Sequence, residues 1–244
     1  MIKLLVILVI CISSAYGQVH DDFQAWSWLK VQGELDNPYL PESMDNRLLG
    51  SMEFHYRLKQ DATDFQTLIL RPMAGYKLNN NNTVWLGYAY AESNVNGKIV
   101  QEHRMFQMIT YSHQFGNKQV VFVGKTRLEE RFFENSENVN LRLRQMLKLS
   151  FNLFKIKESQ VSLYIQNEYF LNLNKTDVNN GFGFEQNRTL LGLGMKTKIN
   201  DVPVQINIGY MNNITGSGKL NHGVNLGVSI TIPSKKKNKK KKKL

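Results

Sequence analysis

Leu141-Arg-Leu-Arg-Gln-Met-Leu-Lys-Leu-Ser-Phe-Asn-Leu153 places leucine and phenylalanine at every second position, with Arg142, Arg144, Lys148 and Asn152 between them. Side chains alternate across a β-strand, so this stretch has one apolar face and one charged face over its whole length. A soluble sandwich turns its apolar faces inward, and a run this long and this charged suits it poorly. An outer-membrane barrel turns the apolar face to lipid and keeps its interior polar.

Outward from this stretch the same period recurs. Strands are expected at Phe23 to Leu35, Asn46 to Lys59, Phe65 to Leu78, Thr83 to Ala91, Glu102 to Phe115, Gln119 to Phe132 and Val139 to Leu153. Four more follow at Gln160 to Leu173, Phe184 to Ile199, Val202 to Asn212 and Leu220 to Ile232. Turn formers separate them: Asn79 to Asn82, Gly116-Asn117, Asn200-Asp201 and Gly216-Ser217-Gly218. The connections alternate in length, with Glu92 to Gln101, Phe133 to Asn138, Asn174 to Gly183 and Asn213 to Lys219 as the longer set. Periplasmic turns are the short ones in such barrels, so the strand from Asn46 is expected to start in the periplasm.

The expected fold is therefore all-β, an antiparallel up-and-down transmembrane barrel of ten to twelve strands with an Arg/Glu-lined interior. Ten strands lie between Asn46 and Ile232. The segment at 18–45, with Trp26 and Trp28, is left as a plug, a latch or one of two extra strands. The last strand alternates Val224, Leu226, Val228, Ile230 and Ile232 with small or polar residues. Its spacing Asn225-x-Gly227-x-x-Ile230-x-Ile232 resembles the signal read by the barrel-assembly machinery, with an aliphatic ending where that signal has an aromatic one.

The ends carry their own signals. Lys3, the apolar run Leu4 to Ile12 and small residues at Ala15 and Gly17 read as a secretory signal peptide over 1–17. The single cysteine, Cys11, falls inside it, so the mature chain is expected to hold no disulfide or thiol site. The formal charge of +11 is concentrated in eight lysines between Lys235 and Lys243; with Lys3 set aside, the body carries about +2. That balance gives no basic groove for nucleic acid. The tail over 233–244 is a like-charge block, expected to be disordered beside acidic lipid.

On the strand from Gln119, Lys125, Arg127, Glu129 and Arg131 share one face, next to Arg142 and Arg144 on the following strand and Arg104 on the preceding one. Glu168 and Arg188 are expected partners further along. These eight residues, Arg104, Arg127, Glu129, Arg131, Arg142, Arg144, Glu168 and Arg188, form the expected polar cluster of the lumen. Two roles stay open for it, a filter for solutes or a brace for a narrow barrel, since small barrels tend to be filled. Six arginines against two glutamates point to small anions as the solute. Aromatics at Tyr76, Trp85, Tyr88, Tyr90, Tyr111, Phe115, Phe132, Tyr169 and Tyr210 suit girdles at the membrane edges.

No histidine sits in a metalloprotease, zinc or GxSxG pattern, and His55 beside Glu53 and Arg57 reads as a lumenal polar residue. No cofactor, metal or catalytic residue is expected. The alternatives are a barrel-type lipid hydrolase and a secreted soluble β-sandwich or lipocalin-like binder.

The chain resembles a family of bacterial outer-membrane barrels known as domain of unknown function 2490. The resemblance rests on Arg71-Pro72 leading to Gly75-Tyr76, on Trp85-Leu-Gly-Tyr88, on Glu102-His-Arg104 with Gln107, and on Arg127-Leu-Glu-Glu-Arg131-Phe132. It continues through Leu141-Arg-Leu-Arg144, Asn167-Glu-Tyr-Phe170, Asn187-Arg188 with Gly192 and Gly194, and Gly209-Tyr-Met211. It implies a bacterial outer-membrane barrel with an Arg/Glu-lined interior and no established activity. Apart from the resemblance, a monomer is expected, partnered by outer-membrane lipid and, during insertion, by the barrel-assembly machinery.

Overall fold

A computed structural model describes residues 21–35, 47–179 and 181–233. The expected signal peptide and the lysine-rich tail, apart from Pro233, lie outside the described residues. Eleven strands run in order: β1 (Asp21–Glu34), β2 (Leu48–Lys59), β3 (Asp64–Lys77), β4 (Asn82–Val95), β5 (Lys98–Phe115) and β6 (Val120–Phe133). They continue with β7 (Asn140–Ile156), β8 (Ser159–Asn172), β9 (Gly183–Ile199), β10 (Val202–Thr215) and β11 (Leu220–Ile232).

Together they close into one barrel in which each strand pairs with its neighbours in sequence and β1 pairs with β11. Closure leaves no unpaired edge, which removes the backbone cost that an open sheet would carry in an apolar surrounding. Ten of the eleven seams are antiparallel. The eleventh is parallel, with Val31 opposite Ile230 and Asp21 opposite Leu220. The segment from Phe23 thus enters the wall as a single strand. One added strand makes the count eleven, inside the expected ten to twelve, and an odd closed meander must have one parallel seam.

Three connections are shorter than expected, among them the one before β11, which spans only 216–219. Glu92 to Gln101 is almost wholly strand, joined by Asn96-Gly97 with φ of 51° and 81°. Positive φ at both central residues is the type I′ turn, whose twist matches that of the paired strands. Between β7 and β8 only residues 157–158 lie outside the strands. The alternation of loop lengths is correspondingly weaker, and the longer connections left are 134–139 and 173–182.

The faces are inverted relative to a soluble protein. Large apolar side chains face outward, with Leu86 at 57%, Leu191 at 54% and Ile208 at 53% exposed. Inward side chains include Arg71, Arg104, Arg127, Glu129 and Arg142, all buried. Apolar residues also face inward in two clusters, one built on Ile69, Met73, Trp85, Phe106 and Met108 and one on Trp26, Tyr164, Leu190 and Met211. Trp85, expected at a membrane edge, belongs to the first. Its inward phase on β4 is shared with Gly87, Ala89 and Ala91, small residues that make room for rings from neighbouring strands. A Cβ on Gly87 would lie 2.1 Å from Cζ of Phe106.

Candidate functional site

All eight residues of the expected polar cluster point into the barrel. Because β5 to β9 are consecutive neighbours, alternation on each brings their charged positions to one level. Glu102 accepts from Arg104 at 2.6 Å and from Arg131 at 2.5 Å. Arg131 and Arg142 both donate to Glu185, at 3.4 and 2.9 Å. Glu129, 1% exposed, accepts from Arg142 at 2.8 Å and from Arg144 at 2.8 Å, with Arg127 at 3.3 Å. Arg144 passes on to Glu168 at 2.7 Å, and Glu168 accepts from Arg188 at 3.3 Å. The result is one continuous chain of ion pairs across five strands.

Guanidinium planes in this lattice stack on rings. Arg144 and Arg188 lie 4.5 and 4.9 Å from the centre of Phe170, and Arg127 lies 4.7 Å from that of Phe106. Both phenylalanines are fully buried. A ring face attracts a cation, and carbon-rich contact of this kind also holds each guanidinium in one orientation. On the opposite wall, Arg71 donates to Glu53 at 2.6 Å, with His55 3.4 Å from each. Arg57 lies 4.0 Å over Trp26, and Arg188 lies 4.3 Å from the same ring.

Two chambers remain inside. The inner one, about 170 Å³, is lined by Trp26, Trp28 and Tyr164 with Lys30, Lys125 and Lys148, among others. The second, about 280 Å³, lies toward the turns at 96–97, 134–139 and 173–182, and Glu102, Arg131, Phe133 and Glu185 line it. Arg57, Arg144 and Arg188 line both, so three guanidiniums form the girdle between the chambers.

Sequence reasoning missed several of these groups. Glu102 and Glu185 enter the chain of ion pairs, Arg71 and Glu53 form a separate pair, and eleven lysine and arginine side chains line the chambers against five glutamates, counting the enclosed Glu129. The ratio of six to two is thereby corrected, and its excess of cations is kept. The signal for Arg71 was present, since Ile69, Arg71 and Met73 share a phase on β3. Phe106 and Phe170 were not marked, although each shares the phase of an inward charge, Arg104 on β5 and Glu168 on β8.

Four cations of the inner chamber have no carboxylate within ion-pair distance, although Glu53 and Glu168 line the same space. Among the described residues Lys30, Arg57, Lys125 and Lys148 make no ion pair or hydrogen bond; Lys30, Arg57 and Lys148 face rings instead, Lys148 at 3.8 Å from Tyr164. The buried Nε atoms of Arg57, Arg71 and Arg188 also lack partners there. No group of three His, Cys, Asp or Glu among the described residues could hold a metal ion, and no serine there is hydrogen-bonded to a histidine.

The model of the family described as protein of unknown function (DUF2490) matches residues 23–222. An uncharacterized protein of Methylorubrum extorquens is 30% identical over 166 residues, which span 66% of this chain and 68% of that protein. Among solved structures, the beta domain of the Bordetella autotransporter BrkA is 11% identical, with a TM-score of 0.41 over 72% of this chain and 78% of its own. An anion-selective porin from Comamonas acidovorans is 14% identical, with a TM-score of 0.32 over 75% of this chain and 55% of its own.

Proposed function

The chain belongs to the DUF2490 family, and for this member we propose a barrel that spans the bacterial outer membrane as a monomer and admits small anions to its lumen. Membrane placement is supported by the inverted faces: leucine, isoleucine and phenylalanine cover the outside of a wall with no free edge, which water would penalise and lipid would not. The observation that carries the anion reading is the excess of cations at the girdle. Arg57, Arg144 and Arg188 stand between the two chambers with two carboxylates, Glu168, shared by Arg144 and Arg188, and Glu129, which Arg144 shares with Arg127 and Arg142; Arg57 has none. A ring of arginines in a constriction raises the local concentration of anions and opposes cations.

The test is a planar bilayer containing the purified protein under a salt gradient. A reversal potential set by chloride over potassium supports the reading. Cation selectivity, or a barrel that conducts nothing under any gradient, removes it.

A further inference from the structure

The girdle explains a preference of sign, but the inner chamber holds more positive charge than a passing chloride requires. We propose that this chamber is a binding site for a small phosphoryl dianion, inorganic phosphate or a phosphomonoester, held by Lys30, Arg57, Lys125 and Lys148. The inference rests on the lumen being reachable by small anions, as proposed above.

Four cations face one space of about 170 Å³, and none of the four has a carboxylate or hydrogen-bond partner among the described residues. Elsewhere in the same lumen every charged row is interlocked: Glu102, Glu129, Glu168 and Glu185 each bind two or more arginines. The wall can therefore compensate its cations, yet the two carboxylates on this lining, Glu53 opposite Lys30 and Glu168, are already paired to arginines. Eight cations against two carboxylates on the lining leave an excess of like charge that repels itself, so the arrangement is unfavourable until an anion enters.

The donors fit a phosphoryl group better than a halide. A phosphoryl dianion presents up to two charges and at least three acceptor oxygens, lysine ammoniums meet it as point charges, and an arginine can donate two parallel bonds. Two amides on the lining add neutral donors. Oδ1 of Asn225 already accepts from Trp28 at 3.1 Å and Oδ1 of Asn207 from Gln205 at 3.0 Å. Their carbonyl ends are occupied by the wall, and their Nδ2 groups are left to donate. A lipid headgroup is a poorer occupant, because the closed wall offers its tail no passage.

All three tryptophans report on this space, since Trp26 and Trp28 line it and Lys30 lies 5.7 Å over Trp85. Tryptophan fluorescence of the full-length mature protein in detergent is followed while inorganic phosphate, glycerol phosphate or chloride is added at constant ionic strength. A saturable change with phosphate or glycerol phosphate and none with chloride is expected; a response to inorganic phosphate assigns the free ion, and one confined to glycerol phosphate assigns the ester. Lys125→Met with Lys148→Met should weaken the affinity about tenfold or more, because two charge-assisted contacts are lost. Lys157→Met with Lys198→Met, which removes the same charge at exposed positions, should leave it unchanged.

Stability separates a site from a structural role. Removing Lys125 and Lys148 should raise the unfolding temperature without phosphate, since repulsion is relieved; a structural role would lower it. Gln166→Glu on the same lining supplies a counter-charge, and should stabilise the barrel while weakening phosphate binding. Equal responses to chloride and phosphate, or affinity untouched by both variants, overturn the site. A barrel that conducts chloride but shows no titration also overturns the site and leaves the passage standing. Saturable binding without conduction does the reverse.

Discussion

Arg142 and Glu129 face each other directly across the β6–β7 seam, and Nε of the arginine donates to Oε2 of the glutamate at 2.8 Å. The glutamate is enclosed by Arg127, Arg142 and Arg144, so its single charge serves three guanidiniums. Glu129→Gln leaves Arg127 without a carboxylate and takes from Arg142 and Arg144 one of their two, and should destabilise the barrel by about 3–5 kcal/mol, the cost of breaking a buried pair from one side. Adding Arg142→Met should recover part of that loss, because the partners are coupled. Urea unfolding of the four proteins of this cycle measures both terms, and strictly additive losses would contradict the coupling.

The contact of Phe106 with Gly87 predicts a steric effect. A methyl at position 87 would stand 2.1 Å from the ring tip of a fully buried phenylalanine. Gly87→Ala should cost about 1–3 kcal/mol by overpacking. Phe106→Leu in the same chain should relieve the clash, seen as a smaller effect of Gly87→Ala in that background. An unchanged effect would mean that the ring is not what the glycine accommodates.

The parallel seam can be read by chemistry. Val31 lies opposite Ile230, both on the outer face, while an antiparallel pairing of the same segments would bring Val31 to His222. Opposed residues of neighbouring strands fall within the Cα separation that a disulfide bridges. Val31→Cys with Ile230→Cys should crosslink on mild oxidation, and Val31→Cys with His222→Cys should not. The opposite result would break the eleven-strand closure.

Much of the wall was legible because the code for it is local. A period of two, interrupted by turn formers, located all eleven strands within a few residues, and Glu168 opposite Arg188 followed from neighbouring strands in register. Asn96-Gly97 carried a turn signal as strong as Asn200-Asp201, and was overlooked within a polar stretch. What period could not supply is proximity across the lumen. Arg57 on β2 meets Arg144 on β7 and Arg188 on β9 because of barrel radius and strand tilt, neither of which is written in any one strand. Trp85 failed for a different reason. With tryptophan, glycine and alanines on one face of β4 and leucine and tyrosines on the other, both faces read as apolar, and packing of Phe106 against Gly87 decides between them.

Leu86 offers the most direct test of what surrounds the wall. It is 57% exposed on the outer face of β4, opposite Ala74 on β3 and Gln107 on β5, with outward Met105 and Ile109 flanking Gln107. In water, an arginine at so exposed a position would cost within about 0.5 kcal/mol. Facing the middle of a bilayer it should cost about 2–4 kcal/mol, less toward the headgroups. The comparison requires two media: Leu86→Arg measured by denaturant unfolding in lipid vesicles, and by thermal unfolding in a short-chain detergent that wets the position. A penalty confined to vesicles places lipid against β4. A negligible penalty in both removes the membrane from the outer face, and with it the reason for leucine to be there.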